Sequence, residues 1–528
     1  MALSVASLQV ATSKPDILTL LEAGDEARVV DHVRGQPDET RAAVTRLLGL
    51  SVHAPLTEDR VRRLLQAEHL AQLYARVWSD SFFIGQVAQF RRWSAGERAE
   101  KLEADSLRQA GREAFFQQGP EAALRLWERS LSQYGALEDG AGQAMALGNL
   151  GAGYYAMGRF ERALRYHSRS LELAEAVGDD RTKSNALGNI ASVHKDRGDL
   201  ALAAEFYGRA LEIRPITGDR RGEAADLNNL GLVRDALGDL QGAESHFRRA
   251  LELNRSDDRL RPAAANLSNL ANLATVRGTY DEALELYTEA LETRTAAGDR
   301  RGEAHDRQNV GLLHLRWGDY PAALHSLQAA LAILSEIGPP IRRAEVRADL
   351  AAAHTVMGQL RSALEELERA EAEAAADEYF RPYLAMQRAD VLAELNDFEP
   401  AARLYGQAKA DYQRLGDAAG QADAEQGLGF LYLTREDYRA AAEALTHALL
   451  IRQGLDDPRP VAETQMLLSD VHFLRGDTAA ARATAHRALA TYEALGDVVA
   501  EAATLGSLAN LDREEGALQA ASAGYRAA

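Results

Sequence analysis

Five asparagines stand 40 residues apart in the sequence, each inside a similar hexapeptide: ALGNLG, ALGNIA, DLNNLG, NLSNLA and DRQNVG. An amide side chain carries a hydrogen-bond donor and an acceptor, so it can bond both the N–H and the C=O of an extended chain of any sequence. Asparagine is also a mediocre helix former, which argues against an incidental place in a helix. The chemistry predicted for the series is recognition of a polypeptide backbone by Asn149, Asn189, Asn229, Asn269 and Asn309.

The elements that must position these asparagines are helices. Around Asn149, apolar and small residues follow the spacing of one helical stripe, namely Leu147, Leu150, Gly151 and Tyr154. At about 100° per residue, Asn149 points roughly 150° away from the centre of that stripe. We therefore predict that Asn149 and its equivalents face a groove, opposite to the side of the helix that packs.

Further polar and charged residues are predicted on or near the same groove surface. Their mixed charge predicts a polar or charged linear segment as the ligand, although ordinary solvated surface explains any single one of them equally well. They are Asn185, Lys195, Asn228, Asn272, His305 and Arg316.

A second interpretation of the asparagines stays open, in which they hydrogen-bond between neighbouring first helices or face water. A bond that served stacking should recur along the whole array, yet the series is interrupted. Gln109 precedes it, and the equivalent positions after Asn309 are Asp349, Gln387, Gly427, Leu467 and Ser507. The interruption favours recognition of a ligand over stacking.

A small residue closes each hexapeptide, and the same position can be followed through eleven copies from Gly111 to Ala509. A turn residue, mostly Gly, follows seven places later, and Ala stands twelve places later in every copy. Because Gly tolerates the positive φ that ends a helix, the pattern predicts pairs of helices that stack to bury their apolar faces. We predict a helical N-terminal capping region over residues 1–103 and a repeat array over 104–528. The repeats begin near residues 104, 144, 184, 224, 264, 304, 344, 382, 422, 462 and 502.

With L-G-x-x-Y at Leu150, Gly151 and Tyr154, followed by G-x-F at Gly158, the array resembles the tetratricopeptide repeat family. The 40-residue spacing is longer than the common form of about 34 and resembles kinesin light chain, the LGN/Pins scaffolds and bacterial signalling proteins. The resemblance implies an all-α, right-handed α-solenoid of about eleven hairpins whose first helices line a concave peptide groove. In kinesin light chain and Pins-like scaffolds, similarly placed asparagines hold the backbone of the partner.

Composition excludes several classes of protein. A formal net charge of -19 argues against nucleic acid as the main partner, because phosphate binding needs clustered Lys and Arg. The absence of Cys excludes disulfides and Cys-ligated zinc, and it fits a reducing, cytoplasmic compartment. The N-terminal segment shows no export signal and no window is apolar enough to span a membrane.

Motifs of catalysis or cofactor binding are absent from the sequence, which contains no H-E-x-x-H, G-x-S-x-G or G-x-x-x-x-G-K-[ST]. Four histidines share one repeat position, but that position is Tyr in other copies, which indicates packing and not metal binding. They are His194, His314, His354 and His472. We predict a protein that is not an enzyme and that binds neither cofactor nor metal.

Two functions remain open at this stage. In the first, the chain is an adaptor or scaffold whose groove captures a protein or peptide segment. In the second, it is the sensory or regulatory arm of a longer bacterial signalling protein, such as a CHAT protease, a cyclase or a transcription regulator. The repeat pattern runs to Ala528 without a polar capping helix, which predicts either an effector domain beyond this chain or a capping partner.

Overall fold

The protein is all-α. Its computed structural model describes residues 16–455 and 457–527, and within these ranges there are 27 helices and no strand. Residues 1–15, where no export signal was predicted, and Ala528, where the repeat pattern ends, lie outside the described residues. None of the described helices is both long and apolar enough to cross a membrane. The chain divides into two compact units, residues up to 297 and residues from 298 onward.

The first unit begins with five helices that share their own hydrophobic core, in which Val44, Leu70 and Tyr74 are fully buried. All five lie within the part of the chain for which a helical region was predicted. The five helices are Ile17–Ala23 (α1), Glu26–Gly35 (α2), Pro37–His53 (α3), Thr57–Trp78 (α4) and Phe82–Arg92 (α5).

Five helical hairpins follow in the same unit. In each hairpin the two helices make their main contacts with one another, and within this unit the second helix of each of the first four hairpins also packs on the first helix of the next. The pairs are Ala95–Gln118 (α6) with Pro120–Ala136 (α7), Gly140–Ala156 (α8) with Phe160–Val177 (α9), Asp180–Asp196 (α10) with Leu200–Ile213 (α11), Arg220–Ala236 (α12) with Leu240–Ser256 (α13), and Leu260–Arg277 (α14) with Tyr280–Ala296 (α15).

The second unit consists of six hairpins of the same kind, so the described part of the chain contains the eleven hairpins that the repeat pattern predicts. The pairs are Arg300–Trp317 (α16) with Tyr320–Ile337 (α17), Pro340–Val356 (α18) with Leu360–Glu373 (α19), Phe380–Glu394 (α20) with Phe398–Leu415 (α21), Ala418–Thr434 (α22) with Tyr438–Arg452 (α23), Pro458–Leu474 (α24) with Thr478–Leu495 (α25), and Val498–Glu514 (α26) with Leu518–Ala527 (α27).

Local sequence explains where each helix ends and the next begins. At the turn between α12 and α13, Gly238 has a φ of 81°, which is strained for any residue with a Cβ. Asp239 follows, and its carboxylate accepts a hydrogen bond from the backbone N–H of Gly242 at 2.9 Å, which caps α13. The Gly-Asp pair therefore ends one helix and starts the next within two residues.

Candidate functional site

A cavity of about 900 Å³ lies inside the first unit. One wall is formed by the N-terminal helices α3 and α5, through residues that include Thr45, Gln86 and Trp93. The other wall is formed by the first helices of four consecutive hairpins, α6, α8, α10 and α12. This volume lies at the upper end of the roughly 300–1,000 Å³ found for small-ligand pockets, so the space suits a short segment better than a folded domain.

Three of the five predicted asparagines, Asn149, Asn189 and Asn229, line this cavity. Each of them is half-buried. No side-chain hydrogen bond joins Asn189 to another described residue, and Nδ2 of Asn149 is buried without an acceptor in the described structure. A buried donor without an acceptor costs about 1–3 kcal/mol, so these amides retain hydrogen-bonding capacity for a ligand.

The fourth asparagine, Asn269, is in a different situation. Its Nδ2 donates to Oδ1 of Asn228 on the preceding first helix at 2.9 Å, and Nδ2 of Asn266 donates to the same oxygen at 2.8 Å. Asn269 is not among the described residues that line the cavity. At this position the structure therefore shows the bond between neighbouring first helices that was the alternative interpretation.

The residue immediately before each asparagine explains the difference. Asn228 occupies that position in the fourth hairpin and binds Asn269 of the fifth. Gly148 and Gly188 occupy it in the second and third hairpins, and both line the cavity. Because glycine has no side chain, Asn189 and Asn229 receive no equivalent partner, and the missing side chains leave space for the cavity.

The same bond recurs in the second unit. Nε2 of Gln308 donates to Oδ2 of Asp349 at 2.6 Å, with the same sequence separation of 41 residues as between Asn228 and Asn269. Asn309, the fifth asparagine, lies 3.4 Å from Nδ1 of the exposed His305. Asn309 and His305 belong to the second unit, whereas the cavity is lined by residues of the first.

Asp349 provides a test of this inter-helix contact. Burial raises the pKa of Asp349 to about 6, an effect that the hydrogen bond from Gln308 partly offsets. Since the folded pKa lies above the unfolded one, this carboxyl favours the folded state below about pH 4 and progressively loses that contribution as the pH rises through 6.

We expect the unfolding free energy of the wild type to fall by about 1–3 kcal/mol more than that of Asp349→Asn between pH 4 and pH 7. Urea unfolding of both proteins at several pH values measures this difference. Asp423→Asn serves as the control, because that carboxylate is 55% exposed. Parallel pH profiles for wild type and Asp349→Asn would contradict the assignment.

The remaining predicted groove residues already have partners in most cases. Oδ1 of Asn185 accepts from Nη1 of Arg214 at 2.6 Å, and Lys195 lies 3.2 Å from the carboxylate of its neighbour Asp196. Oδ1 of Asn272 accepts from the hydroxyl of Tyr287. Arg316 is exposed at the end of α16. Of these four residues, the cavity lining includes only Asn185, and a role in binding stays a prediction for all four.

A buried charged cluster beside the cavity was missed by the sequence reasoning. Arg214, at the end of α11, donates to Asp226 at 2.8 Å and to Asp219 at 2.5 Å. The side chains of Arg214, Asp219 and Asp226 are 5%, 4% and 7% exposed. Burial raises the pKa of Asp226 to about 6, and Arg214 partly offsets that rise. Arg stands at this repeat position only in some copies, at Arg214, Arg294 and Arg452, and that recurrence could have signalled the cluster.

Contacts of the N-terminal helices reach beyond the first hairpin. Arg41 of α3 lies 3.6 Å from the carboxylate of Asp179, and Arg181 lies 2.5 Å from that of Asp38. The hydroxyl of Tyr74 donates to the carbonyl of Thr217 at 3.5 Å. These ion pairs and this hydrogen bond join the N-terminal helices to the segments around the starts of α10 and α12, where Asp179 and Asp219 line the cavity.

The four histidines of the shared repeat position do not form a cluster. His194 stacks on Phe206 with ring centroids 5.7 Å apart, and His354 hydrogen-bonds Gln359 at 2.7 Å. Within residues 16–455 and 457–527, no group of three or more His, Asp and Glu side chains is placed to hold a metal ion. The stacking of His194 agrees with the predicted packing, whereas the hydrogen bond of His354 is exposed.

The fold defines the chain as an α-solenoid built of stacked helical hairpins. The tetratricopeptide repeat family matches residues 102–176, 182–256 and 262–336, in three consecutive copies. These three segments are similar to tetratricopeptide repeats, and they contain all or most of each of the four first helices that line the cavity. No curated protein sequence matches the chain significantly.

Several solved structures are similar to the chain in fold. A Rap protein complexed with competence and sporulation factor is 18% identical with a TM-score of 0.42, and the match covers 66% of this chain and 99% of that one. A signal transduction ATPase with a tetratricopeptide repeat sensor from Pyrococcus horikoshii is 15% identical with a TM-score of 0.48, covering 86% and 73%. Yeast Tom70 is 14% identical with a TM-score of 0.42, covering 80% and 95%. At these values the likeness concerns the fold alone.

Proposed function

We propose that the protein is a non-catalytic scaffold that binds a peptide or protein segment in the cavity between its N-terminal helices and its first four hairpins. The observation that carries the proposal is the position of Asn149, Asn189 and Asn229 on the cavity wall. Their amides lie on three successive first helices. This spacing suits an extended chain and not one small rigid molecule.

The glycines at 148 and 188 support this function, since they remove the side chains that would otherwise engage the asparagines or fill the space. A Cβ at Gly188 would meet Oδ1 of Asp226 at 2.7 Å, whereas a Cβ at Gly148 would meet only Oγ of Ser170, at 3.4 Å. Gly148 can therefore be replaced with little strain. Its replacement by Asn would recreate the arrangement seen at Asn228.

We expect Gly148→Asn to abolish segment binding while the protein stays folded, because the new amide would engage Asn189 and occupy the cavity. A displayed library of random peptides, selected on the full chain and on each variant, measures the effect. The triple variant Asn149→Ala, Asn189→Ala, Asn229→Ala should bind the selected peptides about 10- to 1,000-fold more weakly, at about 0.5–1.5 kcal/mol per hydrogen bond.

Asn269→Ala is the matched control, since it removes the same side chain at the same repeat position outside the cavity lining. The peptides selected on Asn269→Ala should be the same as those selected on the wild type. If Gly148→Asn and the triple variant select the same peptides as the wild type with unchanged helicity, the cavity is not the binding site.

The alternative function, a sensory or regulatory arm of a longer signalling protein, uses the same site. It is supported by the two walls of the cavity, because a segment bound there would touch both the repeats and the N-terminal helices. Hydrogen exchange distinguishes the two functions: a plain scaffold protects only the cavity walls when a selected peptide binds. A regulatory arm would also change exchange in helices that do not contact the peptide.

A further inference from the structure

The acidic and the basic side chains that line the cavity differ in how many of them form ion pairs within the protein. Every lining carboxylate is already within an ion pair with a basic side chain of the protein. The pairs are Asp105 with Lys101 at 2.6 Å, Asp179 with Arg41 at 3.6 Å, Asp219 with Arg181 at 3.2 Å, and Asp226 with Arg214 at 2.8 Å.

Three further lining residues, Arg108, Arg112 and Arg221, form no ion pair with any described carboxylate. Nε of Arg108 donates only to the hydroxyl of Tyr134, at 3.4 Å, and Arg112 and Arg221 are exposed. Three of the four remaining basic residues of the lining are also paired with Asp38, Asp80 or Asp139, which lie outside it, and the fourth, Arg214, pairs with both Asp219 and Asp226. The lining side chains that form no ion pair are therefore positively charged, although the formal net charge of the chain is -19.

These arginines stand at the two ends of the cavity. Arg108 and Arg112 are one turn apart on α6, and Arg221 is in the first turn of α12. Two first helices, α8 and α10, lie between them and carry Asn149 and Asn189. With about 8–10 Å between neighbouring helix axes, three steps span about 25–30 Å. An extended chain at about 3.3 Å per residue covers that span with about eight or nine residues.

We propose that the occupant of this cavity is an acidic peptide segment of about eight or nine residues in extended conformation. Carboxylates near one end bind Arg108 and Arg112, a carboxylate near the other end binds Arg221, and the asparagines between them bind the backbone. Guanidinium groups suit carboxylates because their planar donors match both oxygens. This inference rests on the proposed function and specifies the chemistry of its ligand.

The test uses the full chain and a displayed library of random nine-residue peptides. We expect selected peptides to be enriched in Asp and Glu, and a synthetic version of one of them, with its carboxylates replaced by amides, to bind at least 10-fold more weakly. The variant Arg108→Gln, Arg112→Gln, Arg221→Gln should also bind the acidic peptide at least 10-fold more weakly than the wild type does. Its affinity for the amide version should equal that of the wild type. Fluorescence anisotropy measures both affinities, and their difference should shrink with added salt.

Arg125→Gln, Arg129→Gln, Arg165→Gln is the matched control. It makes the same change in net charge at exposed positions of second helices, outside the cavity lining, and should leave binding unchanged. Equal loss in both triple variants would show that only the overall charge matters and would overturn the inference.

Other outcomes separate this inference from the function on which it rests. The acidic ligand is overturned, and the scaffold function is retained, if the selected peptides show no excess of acidic residues. The variant Arg108→Gln, Arg112→Gln, Arg221→Gln would then bind those peptides as tightly as the wild type. If the wild type selects only peptides that Gly148→Asn also selects, both the acidic ligand and the scaffold function are overturned. Displacement of the acidic peptide by oligothymidine or by inorganic phosphate, at concentrations where the amide peptide does not compete, would assign the arginines to phosphate and overturn the carboxylate ligand.

Discussion

Replacing Arg214 by Met is expected to lower the free energy of unfolding by about 3–5 kcal/mol, because the change leaves the buried Asp226 without a cation and leaves Asp219 with Arg181 alone. Asp219 and Asp226 are both nearly inaccessible to water, so solvent cannot replace the guanidinium. Urea unfolding followed by circular dichroism measures the loss. Hydrogen exchange should place the weakened protection in α10 to α12, which the Arg214 cluster joins.

The control for this change is Arg452→Met in the second unit, at the equivalent repeat position. The side chain of Arg452 is 8% exposed, but its acidic partner Asp423 is 55% exposed and can return to water. The loss there should be clearly smaller.

Acid should also rescue Arg214→Met in part, since the pKa of Asp226 is already about 6 beside the arginine and its removal favours protonation further. Equal losses in the two variants, or no rescue near pH 5, would contradict the buried-charge explanation.

Replacing Gly231 by Ala should destabilise the protein by about 1–3 kcal/mol, although alanine is the better helix former. Gly231 lies in α12, where an added Cβ would approach ring atoms of Phe247 in α13 to 2.5 Å. Phe247 is 1% exposed and enclosed by the core, so its ring cannot move aside. The loss would appear as a lower urea midpoint in the same unfolding measurement.

The matched change is Gly208→Ala in α11, where no atom lies within 4 Å of the added Cβ. There the methyl group restricts only the unfolded chain, and we expect a gain of about 0.5–1 kcal/mol. The two substitutions are chemically identical and should have opposite signs. A gain at Gly231 as well would mean that the small residue of the repeat is not required for helix packing.

Much of the fold could be predicted from the sequence, because a hairpin repeat is specified by short-range features. Gly151 and Leu150 mark the stripe that packs, Gly158 ends the helix with a positive φ of 68°, and Ala163 begins the buried face of the next helix. Each of these requirements acts within one hairpin or between adjacent ones. The first of the three segments that match the tetratricopeptide repeat family contains these residues.

The sequence by itself determined the helical hairpins, their number and the recurrence of an amide at one position of the first helix, since those depend on local spacing. The tertiary structure alone decided which amides remain available. Asn269 is bound by Asn228, which is 41 residues away in sequence, while the residue at the same separation before Asn189 is Gly148, and Asn189 lines the cavity. The N-terminal helices, which carry no repeat, supply the second wall through Trp93 and Gln86. A periodic pattern contains no information about such contacts, because they depend on the single residue that each neighbouring helix happens to present.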